Sequence, residues 1–261
     1  MTNTYTEETG NMDLWRTIFQ DGHPDLLKQH GLHKLLPSEP RCQLCKVPFG
    51  GIGGMIMRFR GKGRNARNKR FCNACDGFLN AFPGGAEVDI SVLFVDVRNS
   101  VATAQNSTPQ EVSTRINRFL DHATDIITKH SGFLMAFYGD CIVACWPPGF
   151  VGQDHQEQAG RAARALIRAF AKSDIPIGVG VHSGPVFIGT VQAAKGLFRD
   201  VSLFGHTVNV AARFASNAAA GEALISREFA EAAGHPLHNL RELTLKGVEN
   251  PIEAIAFHLT E

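Results

Sequence analysis

The chain has 261 residues, a formal charge of +1, 44% hydrophobic residues and 20% charged residues, the profile of an ordinary globular protein with room for one large domain and a small one. Near-neutral charge argues against a chain devoted to nucleic-acid or membrane binding, and no apolar run approaches the roughly 18 residues of a membrane span. The polar start, Met1 to Glu8, lacks a signal-peptide core, so a cytoplasmic protein is expected, in which six cysteines point to metal or buried thiols rather than disulfides.

Residues 1–40 read as a helical segment. Leu14, Trp15, Ile18 and Phe19 recur at helical spacing, Gly22-His23-Pro24 interrupts, and a second short helix carries Leu26, Leu27, Leu32, Leu35 and Leu36. A small helical cap or dimer contact is the expectation, with His23, His30 and His33 as surface histidines.

Residues 41–83 differ in character. Cys42-x-x-Cys45 and Cys72-x-x-Cys75 supply four thiolates, enough to close a tetrahedral zinc site. An iron–sulfur cluster needs the same ligands and is the alternative, with zinc preferred. Between the pairs lie Arg58, Arg60, Lys62, Arg64, Arg67, Lys69 and Arg70 with no acid among them. A solvated loop balancing a negative metal–thiolate centre is the plain explanation. A nucleic-acid patch is the sharper one, without the regular aromatic interleaving that single-strand stacking would want. Pro83-Gly84-Gly85 reads as a linker.

From residue 84 strands and helices alternate. Strands are expected at 88–96, in a hairpin over 132–146 turning on Gly139-Asp140, at 175–191, 222–226, 239–245 and 252–259. Helices are expected at 109–130, 154–172, 206–219 and 227–233. Hairpins mixed with crossover helices predict an α+β fold with helices packed on a mixed sheet. Cys141 and Cys145 fall in the second hairpin strand and read as core.

Two aspartates end apolar strand-like runs: Asp96 after Ile90–Val95 and Asp140 after Phe133–Gly139. A carboxylate at the end of a buried strand is costly to desolvate unless something cationic meets it. Two of them on adjacent strands would hold a pair of divalent ions, an arrangement suited to in-line displacement at phosphorus.

Four segments in order, Leu93–Ser100, Tyr138-Gly139-Asp140, Gly178–Gly184 and Phe204–Arg213, resemble the class III nucleotide cyclase catalytic domain, the adenylate and guanylate cyclase family. The resemblance covers residues 86–261, and the catalytic domain is expected to span 84–261. It implies a ferredoxin-like-derived mixed sheet, a homodimer with sites shared between subunits, and conversion of a nucleoside triphosphate, with ATP the first choice, to the 3′,5′-cyclic monophosphate and pyrophosphate. It implies two Mg²⁺ or Mn²⁺ ions per site on Asp96, Asp140 and the Val97 carbonyl, hard oxygen donors of the type such ions take.

Asn209 and Arg213, four apart on an expected helix, take the family's ribose-positioning and transition-state roles, for which a guanidinium fork suits a charged phosphoryl group. Lys246 matches the lysine at the terminal phosphates. Arg199 or Lys195 would add a phosphate contact.

Departures bear on specificity. Ala136 stands where adenylate cyclases carry a base-reading lysine, and Ser202 where they carry Asp or Thr. Losing one hydrogen-bonding group weakens base discrimination, which keeps GTP and pyrimidine triphosphates open. Asn99-Ser100-Val101 replaces the glycine-containing phosphate loop, and Asn tolerates the left-handed conformation. A degenerate nucleotide sensor without turnover and a nucleic-acid-binding zinc protein are the competing readings.

Overall fold

Residues 9–193 and 198–257 are described by a computed structural model. They form two compact units. One takes the described residues up to Val88 together with those of Phe187–Ser202. The other takes Asp89–Val186 and the described part of Leu203–Glu261. The first unit thus holds the described residues of both the helical and the cysteine segments and also takes in residues of a distant hairpin.

In the first unit, α1 (Thr9–Arg16) runs into a π-helical turn at Thr17–Asp21, and α2 (Pro24–Lys34) follows. Gly22 makes the break at φ 88°, a conformation open to residues without a Cβ. Trp15 and Phe19 are buried and stack with ring centroids 5.3 Å apart. The Trp15 indole donates to Phe82 O at 3.1 Å and the Asn11 amide to Pro83 O at 2.7 Å. The N-terminal helix is therefore packed within its own unit.

The second helix reverses its expected polarity: Leu27, Leu32 and Leu35 are exposed while His30 and His33 are buried. Each imidazole takes a backbone carbonyl of the first cysteine knuckle, His30 Nε2 with Leu44 O and His33 Nδ1 with Cys45 O. Buried carbonyls need partners, and histidine supplies an N–H on an otherwise apolar ring. The surface-histidine expectation fails for these two.

Two further helices, α3 (Gly51–Phe59) and α4 (Asn73–Ala81), complete the cysteine region. Pro83-Gly84-Gly85 is pinned and does not behave as a slack linker. Thr190 N donates to Gly84 O at 2.7 Å, Gly84 N donates to Thr190 Oγ1 at 2.9 Å, and a Cβ on Gly85 would strike the Ile188 carbonyl and the Phe187 ring.

The remaining elements are β1 (Gly85–Val97), α5 (Ser100–Gln105), α6 (Pro109–Lys129), β2 (Phe133–Tyr138), β3 (Cys141–Trp146), α7 (Pro148–Val151), α8 (His155–Phe170), β4 (Ile177–Ala193), β5 (Phe198–Phe204), α9 (His206–Asn217), β6 (Glu222–Ser226), α10 (Arg227–Ala232), β7 (Leu240–Leu243) and β8 (Ile252–Phe257). Strand β5 was not expected. Lys195 and the last two residues of the strand expected at 252–259 lie outside the described residues, as do the first eight residues of the expected N-terminal segment.

The sheet order is β2-β3-β1-β4-β6-β8-β7, with β5 on β4. The pairs β1/β3, β2/β3, β6/β8 and β7/β8 are antiparallel and β4/β6 is parallel. This is the expected α+β fold with a mixed sheet.

In the second unit successive side chains sort to the two faces of the sheet, as a period of two requires. Ala223, Ile225 and Ile255 join the core under α6 and α8, while Leu224, Ala254 and Ala256 join a smaller core with Val210 and Phe214 of α9. Helix α6 buries Phe119, Ala123, Ile126 and Ile127, one helical stripe. Its start is set by a capping box, Thr108 Oγ1 accepting from Glu111 N while the Glu111 carboxylate accepts from Thr108 N.

Candidate active site

Strand β1 ends at the first acidic candidate. Asp96 pairs in register with Cys141 of β3, and Val97 N donates to Asp140 O at 3.3 Å. The antiparallel ladder thus sets the β2–β3 turn, with Asp140, against the end of β1. Gly139 makes that turn possible at φ 64°. Two runs widely separated in the chain are brought together at this point because β3 pairs with β1 in the sheet.

The carboxylates feel one another. Asp96 is half-buried and its pKa is raised, by burial first and by Asp140 as well, while Arg98 opposes the shift. Burial prevails even though Arg98 Nη2 lies 2.7 Å from Asp96 Oδ2. The Cys141 thiol between the two acids is pushed up to about 12 by burial and then by the two negative charges. Cys145 is fully buried and Cys141 only partly so.

Arg98 was not singled out from the sequence. It lies in the turn that follows β1, two residues after Asp96, and an acid and a base this close in the chain were the available signal. Its guanidinium also donates to Ala215 O at 2.7 Å and Ser216 O at 3.1 Å, near the C-terminus of α9. There a cation meets the negative end of the helix dipole. Its buried Nε has no hydrogen-bond partner among the described residues.

Asn99 adopts the left-handed conformation, φ 60° and ψ 23°, and precedes Ser100, the first residue of α5. The tolerance expected of Asn is used. Ala136 lies on β2 opposite Val143 of β3. Ser202 is on β5, at the end of the first unit's portion of that strand.

Asn209 and Arg213 sit on α9, the first exposed and the second partly buried, and Lys246 is exposed in the connection between β7 and β8. Among the described hydrogen bonds and ion pairs, none joins these three side chains to either aspartate. The structure brings Asp96, Val97, Asp140 and Arg98 together, and it keeps α9 in reach through Arg98. Arg199 is engaged elsewhere, donating to Asn80 O and Oδ1 at 2.9 and 3.1 Å and to Gln192 Oε1 at 2.9 Å.

A cavity of about 550 Å³ lies away from this chemistry, lined by Arg164, Arg168, His235, His238 and Phe257 among others and by neither aspartate. We place the candidate site at the paired carboxylates, because volume alone supplies no chemistry there.

The donor set of two coupled carboxylates and a backbone carbonyl at Val97 is all oxygen, the type that Mg²⁺ or Mn²⁺ takes. Among the described residues, no helix is long and apolar enough to cross a membrane.

Comparison with known proteins places the chain in a family. Residues 85–258 match the model of the adenylate and guanylate cyclase catalytic domain. Adenylate cyclase 1 of Rhizobium meliloti is 27% identical over 135 residues, 48% of this chain and 20% of that protein. Human atrial natriuretic peptide receptor 2 is 31% identical over 144 residues, 52% of this chain and 13% of the receptor. The chain thus spans a fifth or less of these relatives.

Among solved structures, the guanylyl cyclase Cya2 superposes with a TM-score of 0.58 at 26% identity, covering 66% of this chain and 92% of that one. The adenylyl cyclase CyaB from P. aeruginosa gives 0.58 at 21%, covering 66% and 94%.

Proposed function

Because the chain belongs to the adenylate and guanylate cyclase catalytic domain family, we propose that it converts a nucleoside triphosphate, ATP first, to the 3′,5′-cyclic monophosphate and pyrophosphate at sites completed by a homodimer. The observation that carries this reading is the β1/β3 register, which sets Asp140 beside Asp96. Asp96, Asp140 and the Val97 carbonyl would hold two Mg²⁺ or Mn²⁺ ions. When bound, such ions favour ionisation of the ribose 3′ hydroxyl and offset the charge of the triphosphate.

The rest falls to the chain's own groups. Arg98 neutralises Asp96 and holds it against α9. Asn209 would orient the ribose, and Arg213 would meet the charge that builds on the α-phosphate as the 3′ oxygen attacks and pyrophosphate leaves. Lys246 would take the terminal phosphates, and the turn at Asn99 and Ser100 would lie beside them. A two-fold dimer would supply Asn209, Arg213 and Lys246 of one subunit to the aspartates of the other and so build two equal sites. Arg199 is left out of the phosphate set, since Asn80 and Gln192 hold it.

GTP is the second reading. The base-reading positions fall at Ala136 and Ser202, and an alanine offers no hydrogen bond to an adenine. The guanylyl cyclase at 26% identity points the same way.

The test is product analysis with ATP, GTP, CTP and UTP in turn, each with Mn²⁺. A cyclic product lost in Asp96→Ala and in Arg213→Ala is expected. Nucleotide binding without any cyclic product would refute the reading in favour of a non-catalytic sensor.

A further inference from the structure

The cysteine region in the first unit lies outside the matched family domain and carries chemistry of its own. The sulfurs of Cys42, Cys45, Cys72 and Cys75 all lie within 4.8 Å of one another, and three of the four residues are buried. Cys45 Sγ and Cys72 Sγ are 3.7 Å apart. A single ion with metal–sulfur bonds of about 2.3 Å in a tetrahedron separates its sulfurs by about 3.8 Å. A polynuclear cluster sets several irons and sulfides between the thiolates and holds them farther apart. The spacing therefore selects one ion, and four thiolates around one ion suit zinc.

The backbone is already arranged for it. In the first knuckle Cys42 N donates to Val47 O at 2.8 Å and Lys46 N to Cys42 O at 2.9 Å, with Lys46 at φ 59°. In the second, Cys72 immediately precedes α4 and Cys75 lies in its first turn, where the helix dipole favours negative sulfur. The Cys72 amide donates to Cys42 Sγ at 3.3 Å, an outer contact of the kind that steadies a thiolate ligand. His30 and His33 brace the first knuckle from α2.

The same region grips the hairpin formed by β4 and β5. Gln43 N, inside the first knuckle, donates to Arg70 O at 3.0 Å. The Arg70 guanidinium pairs with Asp200, and Asn68 Nδ2 donates to Asp200 Oδ1 at 3.1 Å. Asn80, on the helix that begins beside Cys72, accepts from Arg199. Both knuckles are thus tied through short links to adjacent residues of β5.

We propose that Cys42, Cys45, Cys72 and Cys75 bind one zinc ion as thiolates, and that this ion, acting through Arg70 and Asn80, sets the position of the β4–β5 hairpin. Binding displaces the four thiol protons to solvent, with no change of oxidation state. The proposal does not depend on the cyclase reading. If both hold, the anchored hairpin is the one that bears Ser202.

The full chain, purified without chelator, is assayed for metal by mass spectrometry, and amide hydrogen exchange is followed before and after zinc extraction under reducing conditions. One zinc per chain is expected, with no stoichiometric iron. Extraction should speed exchange about tenfold or more in β5 as well as around the cysteines, and added zinc should reverse it.

Asp200→Asn should keep its zinc and speed exchange in the hairpin alone. This variant leaves every ligand in place, so it serves even if the cysteine substitutions do not fold. Less than half an equivalent of zinc, iron in its place, or hairpin exchange indifferent both to extraction and to Asp200→Asn would overturn the proposal.

Discussion

Replacing Gly180 by alanine tests whether the approach of α9 to β4 positions the proposed site. Gly180 pairs with Leu224, whose side chain faces α9. A Cβ built there would lie 2.8 Å from the Phe214 carbonyl carbon and closer still to Ala215 N and Ala211 O, all backbone atoms of α9. Ordinary contact begins at 3.4 Å, so the helix would have to retreat by about 1 Å, because close-packed backbone cannot rotate away as a side-chain tip can.

Overpacking of this kind costs about 3 kcal/mol, the upper end of the usual range. Helix α9 carries Asn209 and Arg213, and a misplacement of about 1 Å at reacting groups lowers turnover by roughly 100-fold. Urea unfolding and cyclic-nucleotide formation, measured on the same preparation, read the two effects. Unfolding within about 0.5 kcal/mol of wild type together with unchanged turnover would refute the claim that the tight α9–β4 approach holds the site.

Three further outcomes are expected. Burial lowers the pKa of His182, hydrogen-bonded to Ser226, to about 4 from 6.5. The folded state therefore binds fewer protons than the unfolded state between those values, and stability should fall as pH drops from about 6.5 to about 4, by up to about 3 kcal/mol. His182→Gln should flatten that slope in urea titrations, and an unchanged slope would count against it. Asn99→Gly should be nearly neutral, since φ 60° suits glycine, while Asn99→Val should lose about 1–2 kcal/mol in thermal unfolding; equal stabilities would contradict the left-handed turn. Equal mixtures of inactive Asp96→Ala and Arg213→Ala chains, unfolded and refolded together, should regain about a quarter of wild-type turnover, because half of the dimers would then carry one intact site of two. No recovery would argue against sites shared between subunits.

Some of this protein was legible in one dimension. Apolar runs ending in Asp96 and Asp140, and the patterns that predicted a strand at 222–226 and a helix at 109–130, are local, and short-range backbone geometry turns them directly into strands and a helix. The spacing of the cysteine pairs was equally local. Four short motifs in order also carried the resemblance to the cyclase family, to which the chain belongs.

Only the folded chain could decide which distant groups meet. His30 and His33 read as surface residues because nothing near them in sequence announces the carbonyls of Leu44 and Cys45 that they satisfy. Leu27 and Leu32 of α2 and Leu35 just after it are exposed, while the helix's two histidines face the knuckle whose carbonyls need donors. Pro83-Gly84-Gly85 carried the composition of a linker, and it is pinned by Thr190, about a hundred residues away in the chain. Arg98 gains its meaning from carbonyls of α9 more than a hundred residues later. Local sequence sets which element forms, whereas long-range burial and the demand that buried polar atoms be paired set what that element touches.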